Sequence, residues 1–177
     1  MRNLPLKQGL HLVLMLGLLS STGWSAGYRV APEDILNVTV YDEPELSVEE
    51  ARIGIDGAIA LPLIGEVKVA GFTTEEIARR VESLLADGYL KKPRVSVSID
   101  EYRQVYVHGA VEEPGGYSYQ DGLTVERAIV LAGGFTERAS PRDITLAREG
   151  KQGEPIEVGM KHLVRPGDVI SVGESFF

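Results

Sequence analysis

Apolar and polar positions alternate soon after residue 28: Leu36, Val38 and Val40 are interleaved with Asn37, Thr39 and Tyr41. Successive side chains of a strand point to opposite faces, so this pattern predicts a half-buried strand. Ile53 and Ile55 then lead into Asp56-Gly57, and Ile59 and Leu61 lead out. Asp-Gly suits a tight turn with positive φ at both central residues, which predicts a hairpin centred there, its second strand limited by Pro62. The period then changes. Ile77, Val81, Leu84 and Leu85 stand at i, i+4, i+7 and i+8, the spacing of one apolar helical stripe set against a sheet. Thr73 with Glu76 forms a capping-box pattern at the start of that helix, and Gly88 stops it. After Lys92-Pro93, Val95, Val97 and Ile99 alternate with Ser96, Ser98 and Asp100 as another one-sided strand. Residues 28–101 therefore read as an α+β unit.

A second unit, 102–175, follows with little linker. Val105 and Val107 carry a strand, Glu113-Pro114-Gly115-Gly116 turns it, and Tyr117 to Tyr119 begin the return. Thr124 caps a short helix that Gly133-Gly134 closes. Strands around Ile144, Ile156 and Val169 complete a small mixed domain. The order is compatible with a β-grasp arrangement and with other α+β folds. The fold class is α+β, in two successive units.

The two units share a short phrase. Pro32-Glu33-Asp34-Ile35-Leu36-Asn37-Val38 and Pro166-Gly167-Asp168-Val169-Ile170-Ser171-Val172 both place a proline and then an aspartate just ahead of a strand. Aspartate bonds nearby backbone readily, so both read as turns and not as ligand sites.

Composition and charge narrow the setting. Arg2 and Lys7 precede a ten-residue apolar run, 10–19, and small residues follow in Ser-Ser-Thr-Gly-Trp-Ser-Ala-Gly. The run is shorter than the roughly 20 residues of a membrane-spanning helix. It predicts a signal peptide over 1–25 and hence export. Cleavage after Ser25 puts Gly23 and Ser25 at the small-residue positions, whereas cleavage after Ala26 puts Trp24 at one of them. Loss of Arg2 and Lys7 takes the formal charge from −8 to −10, a poor basis for binding nucleic acid. One expectation from that charge is that an anionic polymer is kept from adhering. There is no cysteine, so disulfides, thiolate metal sites and an acylated N-terminal cysteine are not expected.

Candidate chemistry is sparse. His108 sits in an apolar strand and His162 in a polar loop, with no second histidine at ligand spacing. Most of the carboxylate pairs Glu33-Asp34, Asp42-Glu43, Glu49-Glu50, Glu75-Glu76 and Glu112-Glu113 border turns or a helix start. A glycosidase needs two carboxylates facing one bond, and adjacent strand residues face apart. No nucleophile elbow, phosphate loop or dinucleotide fingerprint is present. The reading is of no catalytic residue, no cofactor and no metal.

In order along the chain the motifs resemble those of the outer-membrane polysaccharide export (OPX) proteins. Tyr28-Arg29-Val30-Ala31-Pro32-Glu33-Asp34-Ile35-Leu36 resembles the opening motif of their polysaccharide-export domain. Pro44-Glu45-Leu46-Ser47, Asp56-Gly57, Leu61-Pro62-Leu63-Ile64-Gly65 and Val69-Ala70-Gly71-Phe72-Thr73 follow as they do in that family. Family members more often carry Gly at the place of Glu33 and Leu at that of Phe72. The second unit is similar to the family's SLBB β-grasp domain through the stretch from Val105 to Val111, Pro114-Gly115, Leu123-Thr124 and Ala132-Gly133-Gly134.

The resemblance implies a non-enzymatic, ring-forming component that guides capsular or extracellular polysaccharide across the periplasm and outer membrane. Its expected partners are further copies of itself, an inner-membrane polysaccharide co-polymerase, the polymer and a separate outer-membrane barrel protein. That last partner is expected because longer members carry an acylated cysteine, further β-grasp copies and a terminal pore helix, for which this sequence shows no counterpart. Pro114, Gly115, Gly116, Gly133 and Gly134 are candidate subunit or polymer contacts, and Tyr28, Pro32, Asp34, Asp56, Gly57, Pro62, Gly65 and Gly71 carry the family motif. The principal alternative is a periplasmic module for a soluble ligand or saccharide. A carbohydrate-cleaving enzyme using Glu33 or Asp34 is the third.

Overall fold

A computed structural model describes residues 27–148 and 154–175. The predicted signal peptide lies outside the described residues. The first unit contains β1 (Ile35–Val40), a 3-10 turn (Pro44–Leu46), β2 (Val48–Arg52), β3 (Ala58–Leu61), β4 (Gly65–Lys68), α1 (Thr74–Ala86) and β5 (Val95–Glu101). The central strand β1 pairs antiparallel with β2 on one side and β5 on the other. Leu36, Val38 and Val40 all point into the core, as their alternation requires. The capping box of α1 is formed: the Thr73 N–H donates to Glu76 Oε2 at 2.8 Å and the Glu76 N–H to Thr73 Oγ1 at 3.3 Å.

Two expectations for this unit are corrected. The tight turn there is centred one residue earlier, on Ile55-Asp56, with the Gly57 N–H donating to the Gly54 carbonyl at 2.8 Å, and of the expected pair only Gly57 has a positive φ, 79°. The ladder, however, is not centred there, because β2 is taken by β1 and β3 pairs instead with β4 around Pro62-Leu63-Ile64. Ile53 between them is drawn into the core, its N–H donating to the Asp34 carbonyl at 2.9 Å. On α1, Ile77, Val81 and Leu85 are buried but Leu84 is 38% exposed. The three buried positions centre the face, and Leu84 falls about 60° to one side of it at about 100° per residue.

The second unit contains β6 (Val105–Gly109), β7 (Gly115–Tyr117), α2 (Val125–Leu131), β8 (Ala139–Ala147), β9 (Ile156–Glu157) and β10 (Val169–Glu174). Its sheet runs β7-β6-β10-β8-β9, with β10 parallel to β6 and the other neighbours antiparallel. A hairpin, a helix and a last strand returning parallel beside the first give the β-grasp-like arrangement. Thr124 caps α2, accepting from the Arg127 N–H at 3.3 Å. Gly133 and Gly134 close it: their N–H groups donate to the Val130 and Ile129 carbonyls at 3.1 and 2.9 Å. Gly115 and Gly116 are not the turn expected of them, because they already lie in β7 opposite Val107 and Tyr106. The Tyr106 ring lies over Gly116, where a Cβ would come within 3.1 Å of it, so the return strand starts at the glycines.

Each unit has its own core, the first from Val30 to Val95 and the second from Val105 to Val172. Among the described residues no helix is long and apolar enough to cross a membrane.

Candidate functional site

Tyr102, Arg103 and Gln104 are all that separates β5 from β6, so the two cores meet over a very short connection. Asp34, on the turn into β1, is fully buried there. Its Oδ2 accepts from the Ala31 N–H at 2.8 Å and the Tyr28 hydroxyl at 2.7 Å, and its Oδ1 from the Arg103 N–H at 2.8 Å. Arg103 Nη1 stands 3.5 Å from Oδ2 and donates to the Tyr28 oxygen at 2.7 Å. A buried carboxylate is tolerable only with such a set of donors and a countercharge. Asp34 thereby ties the start of the first unit to its exit. Burial, and next the bond to Asp34, push the Tyr28 hydroxyl far above its ordinary value of 10.0. Tyr102 packs edge-on to Tyr28 at 5.0 Å and to Tyr119 at 5.1 Å, carrying the contact into the second unit.

The repeated phrase builds the same device twice. Asp168 is fully buried, and the Arg165 N–H, three residues back, donates to its Oδ2 at 2.9 Å. Arg148 grips it with two nitrogens, Nε to Oδ1 at 3.1 Å and Nη2 to Oδ2 at 3.2 Å. Glu33 and Gly167 hold equivalent places with φ of 74° and 82°. The turn chemistry was legible in the sequence. The arginine partners were not, because they stand 69 and 20 residues from their aspartates.

Two clefts flank these pairs. A cleft of 280 Å³ is lined by Glu33, Arg103, Tyr106, Ala147, Arg148 and Val169, and so opens between the units. A cleft of 560 Å³ is lined by Tyr119, Arg148, Lys161, His162 and Arg165 among others. Arg148 belongs to both walls. Sequence reasoning passed over Lys161 and Arg165, since the chain as a whole is acidic.

The residues singled out from sequence are scattered more widely. Tyr28, Pro32 and Asp34 form or flank the buried joint. Asp56 and Gly57 belong to the turn after β2, where Lys68 Nζ lies 2.6 Å from Asp56 Oδ2 and holds that exposed carboxyl below its ordinary value. Gly57 lies where a Cβ would come within 2.7 Å of that of Ala70. Pro62 and Gly65 bound the β3–β4 turn, and the Gly71 N–H donates to the Val30 carbonyl at 2.8 Å. Pro114, Gly115, Gly116 and Gly133 are exposed and Gly134 half-buried. They come together, because the Glu113 N–H donates to the Ala132 carbonyl at 2.9 Å and the Glu112 N–H to the Gly134 carbonyl at 3.1 Å. His108 is exposed on β6. Glu33 and Asp34 do not form a carboxylate pair facing one bond: both Asp34 oxygens are engaged by the protein and out of reach of a substrate.

Comparison with known proteins adds an independent finding. Residues 24–100 match the family model described as polysaccharide biosynthesis/export protein, and residues 104–158 match the SLBB domain. The exopolysaccharide production protein ExoF of Rhizobium meliloti (strain 1021) is 37% identical over 136 residues, covering 68% of this chain and 32% of the relative. The EPS I polysaccharide export outer membrane protein EpsA of Ralstonia nicotianae is 33% identical over 151 residues, 71% of this chain and 39% of the relative. The polysialic acid transport protein KpsD of Escherichia coli is 28% identical over 134 residues, 73% of this chain and 24% of the relative. The chain thus spans between about a quarter and two fifths of the length of these relatives.

Proposed function

Since this chain belongs to the polysaccharide biosynthesis/export protein family, an export domain followed by an SLBB domain as in the OPX proteins, we propose that it works as a non-enzymatic component of polysaccharide export. Its place is the periplasm at the outer membrane, reached by means of the N-terminal signal peptide. It acts there as an oligomeric ring or adaptor that receives polymer from an inner-membrane co-polymerase and passes it to an outer-membrane barrel protein.

The observation that carries this reading is the buried joint of Tyr28, Asp34 and Arg103 between the two matched domains. A wall of a conduit must present both domains of each copy in one fixed relation. An ion pair whose carboxylate is fully buried, with directional donors, holds the connection between them more firmly than a flexible linker. The patch formed by exposed Pro114, Gly115, Gly116 and Gly133 with half-buried Gly134 supplies a face for contact between copies.

Deletion of the gene tests the reading: surface polysaccharide is expected to be lost and restored by the intact gene. Unchanged surface polysaccharide in the deletion strain would sink it. Light scattering on the purified chain, with its expected mass above that of the 19.3 kDa monomer, tests the oligomer separately.

A further inference from the structure

The larger cleft has a character that the charge of the whole molecule conceals. Arg148, Lys161, His162 and Arg165 line it, and no acidic side chain among the described residues does so, although the chain carries a net charge of −8. Lys161 and Arg165 are exposed, and no carboxylate among the described residues pairs with either.

The backbone that carries these basic groups is held in place by the fold. The segment bearing Lys161 to Arg165 is fastened to the start of α2: the Val125 N–H donates to the His162 carbonyl at 3.0 Å and the Val164 N–H to the Leu123 carbonyl at 2.9 Å. The Arg165 backbone is fixed by Asp168, and the same carboxylate orients Arg148. Basic groups positioned before a ligand arrives lose less freedom on binding it. A volume of 560 Å³ falls in the ordinary range of small-molecule sites. Through Arg148 this cleft adjoins the smaller one, where Tyr106, 42% exposed, presents its ring beside Val169 and Ala147. An aromatic face with aliphatic neighbours suits the C–H face of a sugar ring.

We propose that the two clefts are adjoining subsites for an acidic polysaccharide. A carboxylate-bearing sugar sits among Lys161, His162 and Arg165, and the next ring lies against Tyr106. This rests on the export reading and names the class of polymer exported. The surface at large repels such a polymer and the cleft attracts it, so contact is confined to one track. Screening by salt weakens both effects.

The probes are trigalacturonate, maltotriose and inorganic phosphate, titrated calorimetrically into the full purified chain at low and physiological ionic strength. Trigalacturonate is expected to bind, more weakly as salt rises, and both other probes at least about tenfold more weakly. The double variant Lys161→Gln/Arg165→Gln is expected to lose about tenfold in affinity, each exposed charge contributing modestly. Lys91→Gln/Lys92→Gln, on the other unit, is expected to bind as the parent does. Equal binding of maltotriose, equal binding of phosphate, an unaffected double variant, or an equal loss in the Lys91/Lys92 control would each overturn the proposal. Surface polysaccharide in the deletion strain decides the export reading independently of these titrations.

Discussion

Asp34 shows how much one residue decides. It has no exposed surface and accepts from three donors, with the Arg103 guanidinium beside it. Asp34→Ala would leave a mostly covered Arg103 and two backbone N–H groups without their acceptor, and is expected to lower stability by about 3–5 kcal/mol. Urea unfolding measures this, and a loss under about 1 kcal/mol would show that water replaces the carboxylate freely. Tyr28 adds a pH dependence. Its folded value is raised, so the neutral hydroxyl favours the fold. That contribution is complete below the ordinary value of 10.0 and is lost as pH rises above it. Tyr28→Phe is therefore expected to unfold less steeply with rising pH in the alkaline range than the parent, as followed by circular dichroism. Glu33 and Gly167 complete the picture at this scale: the same left-handed turn is made once by a residue that resists it and once by the residue that suits it.

Among the elements, those that depend on near neighbours were legible in sequence and those that depend on distant pairing were not. The capping box of α1 lies within a single helical turn and formed as Thr73 and Glu76 predict. β2 carries no alternation to mark it, because Val48 and Ala51 are its apolar residues, and its partner is β1. Once β1 takes β2, the hairpin predicted around Asp56-Gly57 has lost its first strand and forms one step later. The parallel pair β6–β10 is likewise a product of the tertiary fold. Gly109 of β6, at φ 90°, faces the Val172 carbonyl of β10 so closely that a Cβ would collide with it. Gly109→Ala is expected to lower stability by about 2–4 kcal/mol, combining the left-handed penalty with overpacking against backbone. A thermal midpoint equal to the parent's would count against this account of the pair.

Taken as one molecule, the two cores are coupled through three connecting residues, one of which, Arg103, pairs with the buried Asp34. The parent is expected to unfold in a single transition. The double variant Asp34→Ala/Arg103→Ala removes both charges and loosens the hold of the first unit on the connection, leaving the Tyr28, Tyr102 and Tyr119 contacts, so its calorimetric trace is expected to broaden toward two transitions. A single sharp transition in that variant would place the coupling elsewhere.

The α+β class, the strands with strict alternation, both helix caps, the turn chemistry of Asp34 and Asp168 and, through motifs in series, the family can all be read along the chain. Each of these is written in neighbouring residues, where backbone geometry and side-chain period act over a few positions. The tertiary structure alone decided which strands pair, that the two aspartates are buried against Arg103 and Arg148, and that Lys161 and Arg165 share a cleft within an acidic chain. Those outcomes depend on burial and on charges brought together from distant positions, and neither composition nor spacing encodes where a charge will lie once the chain is folded.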